Sequence, residues 1–508
     1  MGAISGETGS DRKVKNMLKH IPLTYTKSHF DTPNILEVMT CLIDPLTPGI
    51  ATINAVSDGM HYGWTAPIIP QLQLPNSPVQ ITETDVVWLE NIYMLGGFAG
   101  LPITIFSVDK FGRKNSILVA CVKNIISWIL ISFATSVEYL YVARFLSGIA
   151  GDVAFVSAPM YIGEIADKKI RGVLGSLIYV MMLLGIVLLY SVAPFVSIPT
   201  SSAVACSFLI IQLLTLPFMP DSPYYLLLKN DAEGAKKALQ KLRSTQDVEK
   251  EMEEISAAVQ RQKAERGRLI DLFKIDSNRK AIIIMTVLNA SQHFSSISVM
   301  LMNVHSIIDN ADSMISSSSA AIIFSALMLT TLFTSSVLID KVGRRMLLTI
   351  SCVFTGLSLL ILATYFAIKN SGTDVSLYSW IPVTSVMLYA VAFRSGLGIV
   401  PIVMTAELFP TSVKAMGMTI SDCMYVLFSV ASIYMYQHLR VVYGIHVPFY
   451  IFGTCCLLCS AFALFYIPET KGRTLEEIQQ ILKGNAVPKL ALIKDEANVK
   501  MCEEDTVV

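Results

Sequence analysis

The stretch Asp109-Lys110-Phe111-Gly112-Arg113-Lys114 occurs a second time, as Asp340-Lys341-Val342-Gly343-Arg344-Arg345. Each copy is a short basic loop with a central glycine, set between two long apolar runs. Two further pairs follow in the same order. Glu164 precedes Arg171 by seven residues, as Glu407 precedes Lys414, and Pro220-Asp221-Ser222-Pro223 answers to Pro468-Glu469-Thr470-Lys471-Gly472. The members of each pair stand roughly 230 to 250 residues apart, the mark of an internal duplication. The chain reads as two halves of one design.

Composition sets the medium. Of 508 residues, 53% are hydrophobic and only 15% charged, against about a quarter charged in soluble chains. The mean hydropathy is +0.56. Thirty-nine basic residues balance 39 acidic ones, which gives no ground for a nucleic-acid partner. Met1 to Lys27 is polar and does not read as a cleavable signal. The nine cysteines lie mostly inside apolar runs without ligand spacing to His, so neither a metal site nor a disulfide framework is expected. Asn289-Ala290-Ser291 also lies in an apolar run and is not expected to carry a glycan. No nucleophile–base set or phosphate loop is present in the sequence, so no catalytic residues and no cofactor are expected.

Twelve apolar runs are each long enough, at about 20 residues, to cross a bilayer. They start near Pro48, Trp88, Ser116, Glu138, Val173 and Ser202, then near Ala281, Ser317, Met346, Ile381, Ala415 and Val447. Between the two sets lies a charged, helical-looking segment from Lys229 to Lys274. Loops on one side carry Lys110, Arg113, Lys114, Lys168, Lys169, Arg171, Lys341, Arg344 and Arg345, whereas those on the other carry only Lys369 and Arg440. The excess of Lys and Arg puts the first side, and both termini, in the cytoplasm. The expected organisation is an all-α membrane protein of twelve transmembrane helices in two six-helix bundles. A cytoplasmic tail (1–45) precedes the first bundle (46–220); a cytoplasmic helical linker (221–279) leads to the second (280–468) and a cytoplasmic tail (469–508). Duplicated bundles of this kind point to a transporter.

These motifs, with Arg144-Phe145-Leu146-Ser147-Gly148, resemble the sugar porter family of the major facilitator superfamily from Gly59 to Gln480. Trp64-Thr65-Ala66-Pro67 with Pro70, and the segment from Leu226 to Leu242, are most similar to insect-type facilitated trehalose transporters. The resemblance implies a charge cluster that closes the cytoplasmic side and breaks when the halves rock. Asp109, Gly112, Arg113, Arg144, Glu164, Arg171, Asp340, Gly343, Arg344, Glu407 and Lys414 are its expected members. Gly112 and Gly343 suit tight turns, and the charges alone would also serve to set topology.

Inside the spans, each ionisable residue costs roughly 2.5 to 3.5 kcal/mol on insertion scales and therefore marks function or a buried partner. Asp58, Asp152, His293, Arg394 and Asp422 are of this kind. Counted at 1.5 Å per residue from the inner ends of spans ten and eleven, Arg394 and Asp422 stand at similar depth, roughly 15 Å and 12 Å, and an ion pair between them is expected.

The family's substrate stretch corresponds here to Ser291-Gln292-His293-Phe294-Ser295-Ser296-Ile297-Ser298. By resemblance Gln292, His293, Ser298, Tyr179, Ile402 and Tyr425 are the expected substrate contacts. His293, Ser298, Tyr179, Ile402 and Tyr425 all replace the family's usual residues. Gln292, His293 and Ser298 would spread over about 220° of a regular helix. They can share a cavity only if the span unwinds near Ser295-Ser296. Thr65 occupies the place of the acid found in proton-driven relatives, which implies facilitated diffusion. The expected function is uniport of a sugar such as trehalose or a hexose, by alternating access, across the plasma membrane; the partners are the sugar and the lipid bilayer. Two readings stay open beside it: a proton-coupled symporter using Asp58 or His293, and a non-transporting sensor or degenerate paralogue.

Overall fold

The apolar runs fold as helices in a computed structural model that describes residues 35–484, apart from 167–170, 244–246, 265–267, 312–313, 411 and 474. No strand occurs among the described residues. Of the unit Met1–Ile43 only residues 35–43 are described, and they are helical; Asp44–Val508 forms a second compact unit.

Among the described residues, eleven helical segments are long and apolar enough to span a membrane. The expected first span is α1 (Ile35–Gly63) followed by α2 (Thr65–Leu72), interrupted only at Trp64. Its helix begins well before Pro48, where the first span was expected to start. Spans two to six are α3 (Glu83–Phe111), α4 (Arg113–Ser132), α5 (Val137–Ile165), α6 (Arg171–Val192) and α7 (Ile198–Thr215). The linker folds as α8 (Pro223–Leu228), α9 (Ala232–Arg243), α10 (Glu249–Ala264) and α11 (Asp271–Lys274). Span seven is split into α12 (Asp276–His293) and α13 (Ile297–Asp309), and span ten into α16 (Trp380–Ser395) and α17 (Val400–Leu408). Spans eight and nine are α14 (Ser317–Val342) and α15 (Arg344–Asn370); spans eleven and twelve are α18 (Lys414–Tyr443) and α19 (His446–Tyr466). A terminal α20 (Leu475–Lys483) follows. This is a twelve-helix, two-bundle architecture.

The packing suits a lipid solvent. Large apolar side chains such as Leu214, Val337, Leu458 and Phe465 remain exposed, as expected for an outer surface that faces hydrocarbon rather than water. Inside, small residues let backbones close up: a side chain at Gly96 or Gly148 would strike the facing backbone of α5 or α3. The linker caps helix ends of the first half. Arg243 of α9 donates to the Ile165 carbonyl at the end of α5 and pairs with Glu251 at 2.8 Å. Lys241 donates to the Phe218 carbonyl, after α7. Both bonds satisfy carbonyls that a helix end leaves free.

Candidate functional site

The two repeated loops build matching clusters. In the first half Arg113 lies 2.9 Å from Glu164, whose other oxygen accepts from the Ser222 hydroxyl. In the second half Arg344 pairs with Glu407 at 3.0 Å and with Asp340 at 2.9 Å, and Thr470 donates to Glu407 at 2.6 Å. Ser222 and Thr470 thus hold equivalent places. The carboxylates before them differ in partner: Asp221 lies 3.3 Å from the Lys114 ammonium, whereas Glu469 accepts from the backbone N–H groups of Arg344 and Arg345 at the start of α15. Gly112 and Gly343 have φ of 87° and 99°, in a region open essentially to glycine. Asp109 is exposed, and Lys414 stands within electrostatic reach of Glu407. The side chain of Arg171, with Lys168 and Lys169, lies outside the described residues.

Arg144 does not belong with these loops. It is fully buried in the outer part of α5, donates to the carbonyls of His61 and Leu89, and lies over the Tyr93 ring at 4.5 Å. It lies two turns from the start of the fourth span, whereas the loop cluster with Glu164 is at that span's other end.

The halves meet along a seam fastened at the end away from the loop clusters. Tyr62 and Ser298 hydroxyls lie 3.0 Å apart, Thr65 donates to the Met302 carbonyl at 3.2 Å, and Tyr190 donates to that of Leu301. Farther out, Gln437 donates to Glu90 at 2.7 Å, and Arg440 meets Glu83 at 3.4 Å. The inner loop clusters described above pair within their own halves. The seam bonds therefore lie away from the loop clusters.

Span seven breaks at Phe294–Ser296, with Ser296 in the left-handed region at φ 75°. The break turns Ser298 back onto His293: Nδ1 and Oγ are 2.9 Å apart. Ser298 also lies 3.0 Å from Ser429. One hydroxyl, with one donor and two acceptor sites, is thereby engaged three times. The His293 ring meets Tyr425 edge-on at 4.2 Å, and its Nε2 has no hydrogen bond. Gln292 turns elsewhere and donates to the Leu397 carbonyl in the break of span ten. These three residues are buried in this state, whereas Tyr179, Ile402 and Tyr425 keep partial access.

Arg394 and Asp422 do not form the expected ion pair. Arg394 donates to the Gly398 carbonyl at 3.3 Å, because the break in span ten turns that carbonyl towards the guanidinium. The charge nearest in effect to Asp422 is Asp152, of the other half. Asp152 accepts from Thr104, and Asp58 accepts from Asn124 at 2.8 Å within the first bundle. Sequence reasoning passed over Tyr62, Ser429, Glu90, Asn303 and Gln437. Glu90 and Gln437 sit near span ends, where a polar residue reads as a boundary. No group of three or more His, Cys, Asp or Glu that could hold a metal occurs among the described residues.

Two six-helix bundles, matched loop clusters and helices broken at the seam define a membrane transporter of the major facilitator type. The chain belongs to the sugar (and other) transporter family, whose model matches residues 50–482. It is 32% identical to the facilitated trehalose transporter Tret1 of Polypedilum vanderplanki over 84% of this chain and 85% of that one. It is 29% identical to Tret1 of Aedes aegypti over 92% of this chain, but spans only 58% of that longer protein. In fold it is similar to the inward-open xylose transporter XylE from E. coli, with a TM-score of 0.72 at 20% identity, covering 85% of this chain and 98% of that one.

Proposed function

We propose that the protein is a uniporter that carries a sugar such as trehalose or a hexose down its gradient across the plasma membrane, with both termini in the cytoplasm. The observation that carries this reading is the pairing of matched loop clusters in both halves with a seam that contains hydroxyls and an imidazole. Rocking about that seam would exchange the outer hydrogen bonds for inner ones, exposing Gln292, His293 and Ser298 in turn. A hydroxyl-rich solute needs such dense donors and acceptors, since each buried polar group left unpaired costs about 1–3 kcal/mol. Thr65 spends its hydroxyl on the Met302 carbonyl and carries no proton to couple.

A second reading, proton symport, is favoured by one feature. Asp58 is 1% exposed, with one carboxylate oxygen lacking a hydrogen bond. Uptake of labelled trehalose and glucose into cells expressing the protein, with and without an uncoupler, separates the two. Uptake that survives the uncoupler supports uniport. Uptake that stops, and returns on an imposed inward proton gradient, supports symport.

A further inference from the structure

Beyond the Tyr62–Ser298 cluster, the seam encloses a cavity of about 450 Å³, within the roughly 300–1,000 Å³ of small-molecule sites. Both halves build it, from α2 and α3 on one side and α13 and α18 on the other. Its polar rim is loosely engaged. Glu83 accepts from Gln73 and from Arg440, each at 3.4 Å, beyond the usual hydrogen-bond range. A ligand hydroxyl can replace either at little cost.

Asn303 is the opposite case. It lines the cavity, is only 5% exposed, and its amide Nδ2 makes no hydrogen bond. Next to it Glu90 is fully buried: its Oε2 accepts from Gln437, and the Asn303 amide stands close enough for one N–H to turn towards its carboxylate. An amide nitrogen has two N–H groups, so with one turned to Glu90 the other is left to donate to a hydroxyl in the cavity. Polar groups removed from water are stable only when bonded, so the remaining amide N–H favours an occupant. Ile69, Pro70 and Ile445 supply apolar wall for the C–H face of a sugar ring. Glu83 and Arg440 cancel at the rim, which disfavours an ionic ligand.

We propose that this cavity is a second binding site, an outer vestibule for a hydroxyl-rich solute, with Asn303 as its determinant. It rests on the reading that the chain carries a sugar. In the inward-facing state it would hold one molecule outside the seal while the central cluster opens to the cytoplasm.

Equilibrium dialysis of the purified full-length protein with labelled trehalose and with labelled glucose tests this. The expected result is two equivalents bound to the wild type and one to Asn303→Leu, with Asn303→Ala as a smaller truncation that also removes the donor. Uptake by these variants should fall less than tenfold, because the central cluster is untouched. A single wild-type equivalent that Asn303→Leu and Asn303→Ala both leave unchanged, with normal uptake, overturns the vestibule and leaves the uniporter standing. No binding of either sugar to the wild type overturns both readings.

Discussion

Glu90 accepts a 2.7 Å hydrogen bond from Gln437, and so ties the second span to the eleventh across the seam. The bond is fully buried on the Glu90 side, and the rim pair Glu83–Arg440 lies farther out. An interaction that one conformation has and the other lacks biases the equilibrium between them by its own free energy. Glu90→Leu should therefore shift the protein towards the outward-open state. A cysteine at Ser306 should react with an impermeant thiol reagent several-fold faster in that background. Unchanged reactivity would show that the seal lies elsewhere.

The paired clusters make an equally concrete case. Glu164→Gln and Glu407→Gln each take the charge from an arginine that is only 6% and 12% exposed. Breaking such a pair by one partner costs about 3–5 kcal/mol when buried, and less at this partial exposure. Both variants should lose most uptake while at least half the protein stays at the surface, by uptake assay and surface biotinylation. Loss of surface protein in proportion to uptake would mean that the clusters only set topology.

Gly343→Ala should destabilise in two ways. Alanine strains the backbone at φ 99°, and its Cβ would lie 2.7 Å from a Glu469 oxygen. At Gly112 the same atom meets the Tyr225 ring at 2.7 Å. Each change should cost about 1–3 kcal/mol. Gly472→Ala is the control, since its φ is 67° and nothing lies within 4 Å. Thermal unfolding in detergent should rank Gly472→Ala well above the other two.

Ser296 holds the break in span seven with a left-handed backbone. Ser296→Val should oppose it, because β-branched residues rarely adopt positive φ, and should separate His293 from Ser298. Uptake should fall, whereas Ser296→Gly keeps the wild-type level. Equal activity in both variants would mean that the break is not needed.

Arg394 and Asp422 serve as a test of an interaction that is absent. Since Arg394 bonds to a backbone carbonyl instead, the stability losses of Arg394→Leu and Asp422→Leu should add within about 0.5 kcal/mol in the double variant. Rescue of one by the other would restore the ion pair.

Why depth failed at Arg394 and worked at Ser296 is instructive. Rise per residue places two residues at one level, but it does not say which faces of two helices meet. The 220° spread of Gln292, His293 and Ser298, by contrast, is a conflict internal to one helix, and the break at Phe294–Ser296 resolves it for His293 and Ser298. Gln292 stays on the other side of that conflict. The resemblance groups Arg144 with the loop charges, yet it is buried inside the fourth span and bonds to carbonyls of the first and second spans.

The sequence by itself determined the medium, the twelve spans, the duplication and the loops that carry charge, because each is written in local composition: apolar run length, Lys and Arg count, and a glycine where φ must be positive. Only the tertiary structure decided which half is fastened to which. The partners of Glu90, Tyr62 and Thr65, and Ser429 for Ser298, are 131 to 347 residues away. Such bonds depend on how two rigid bundles lean together, and no local pattern encodes that angle.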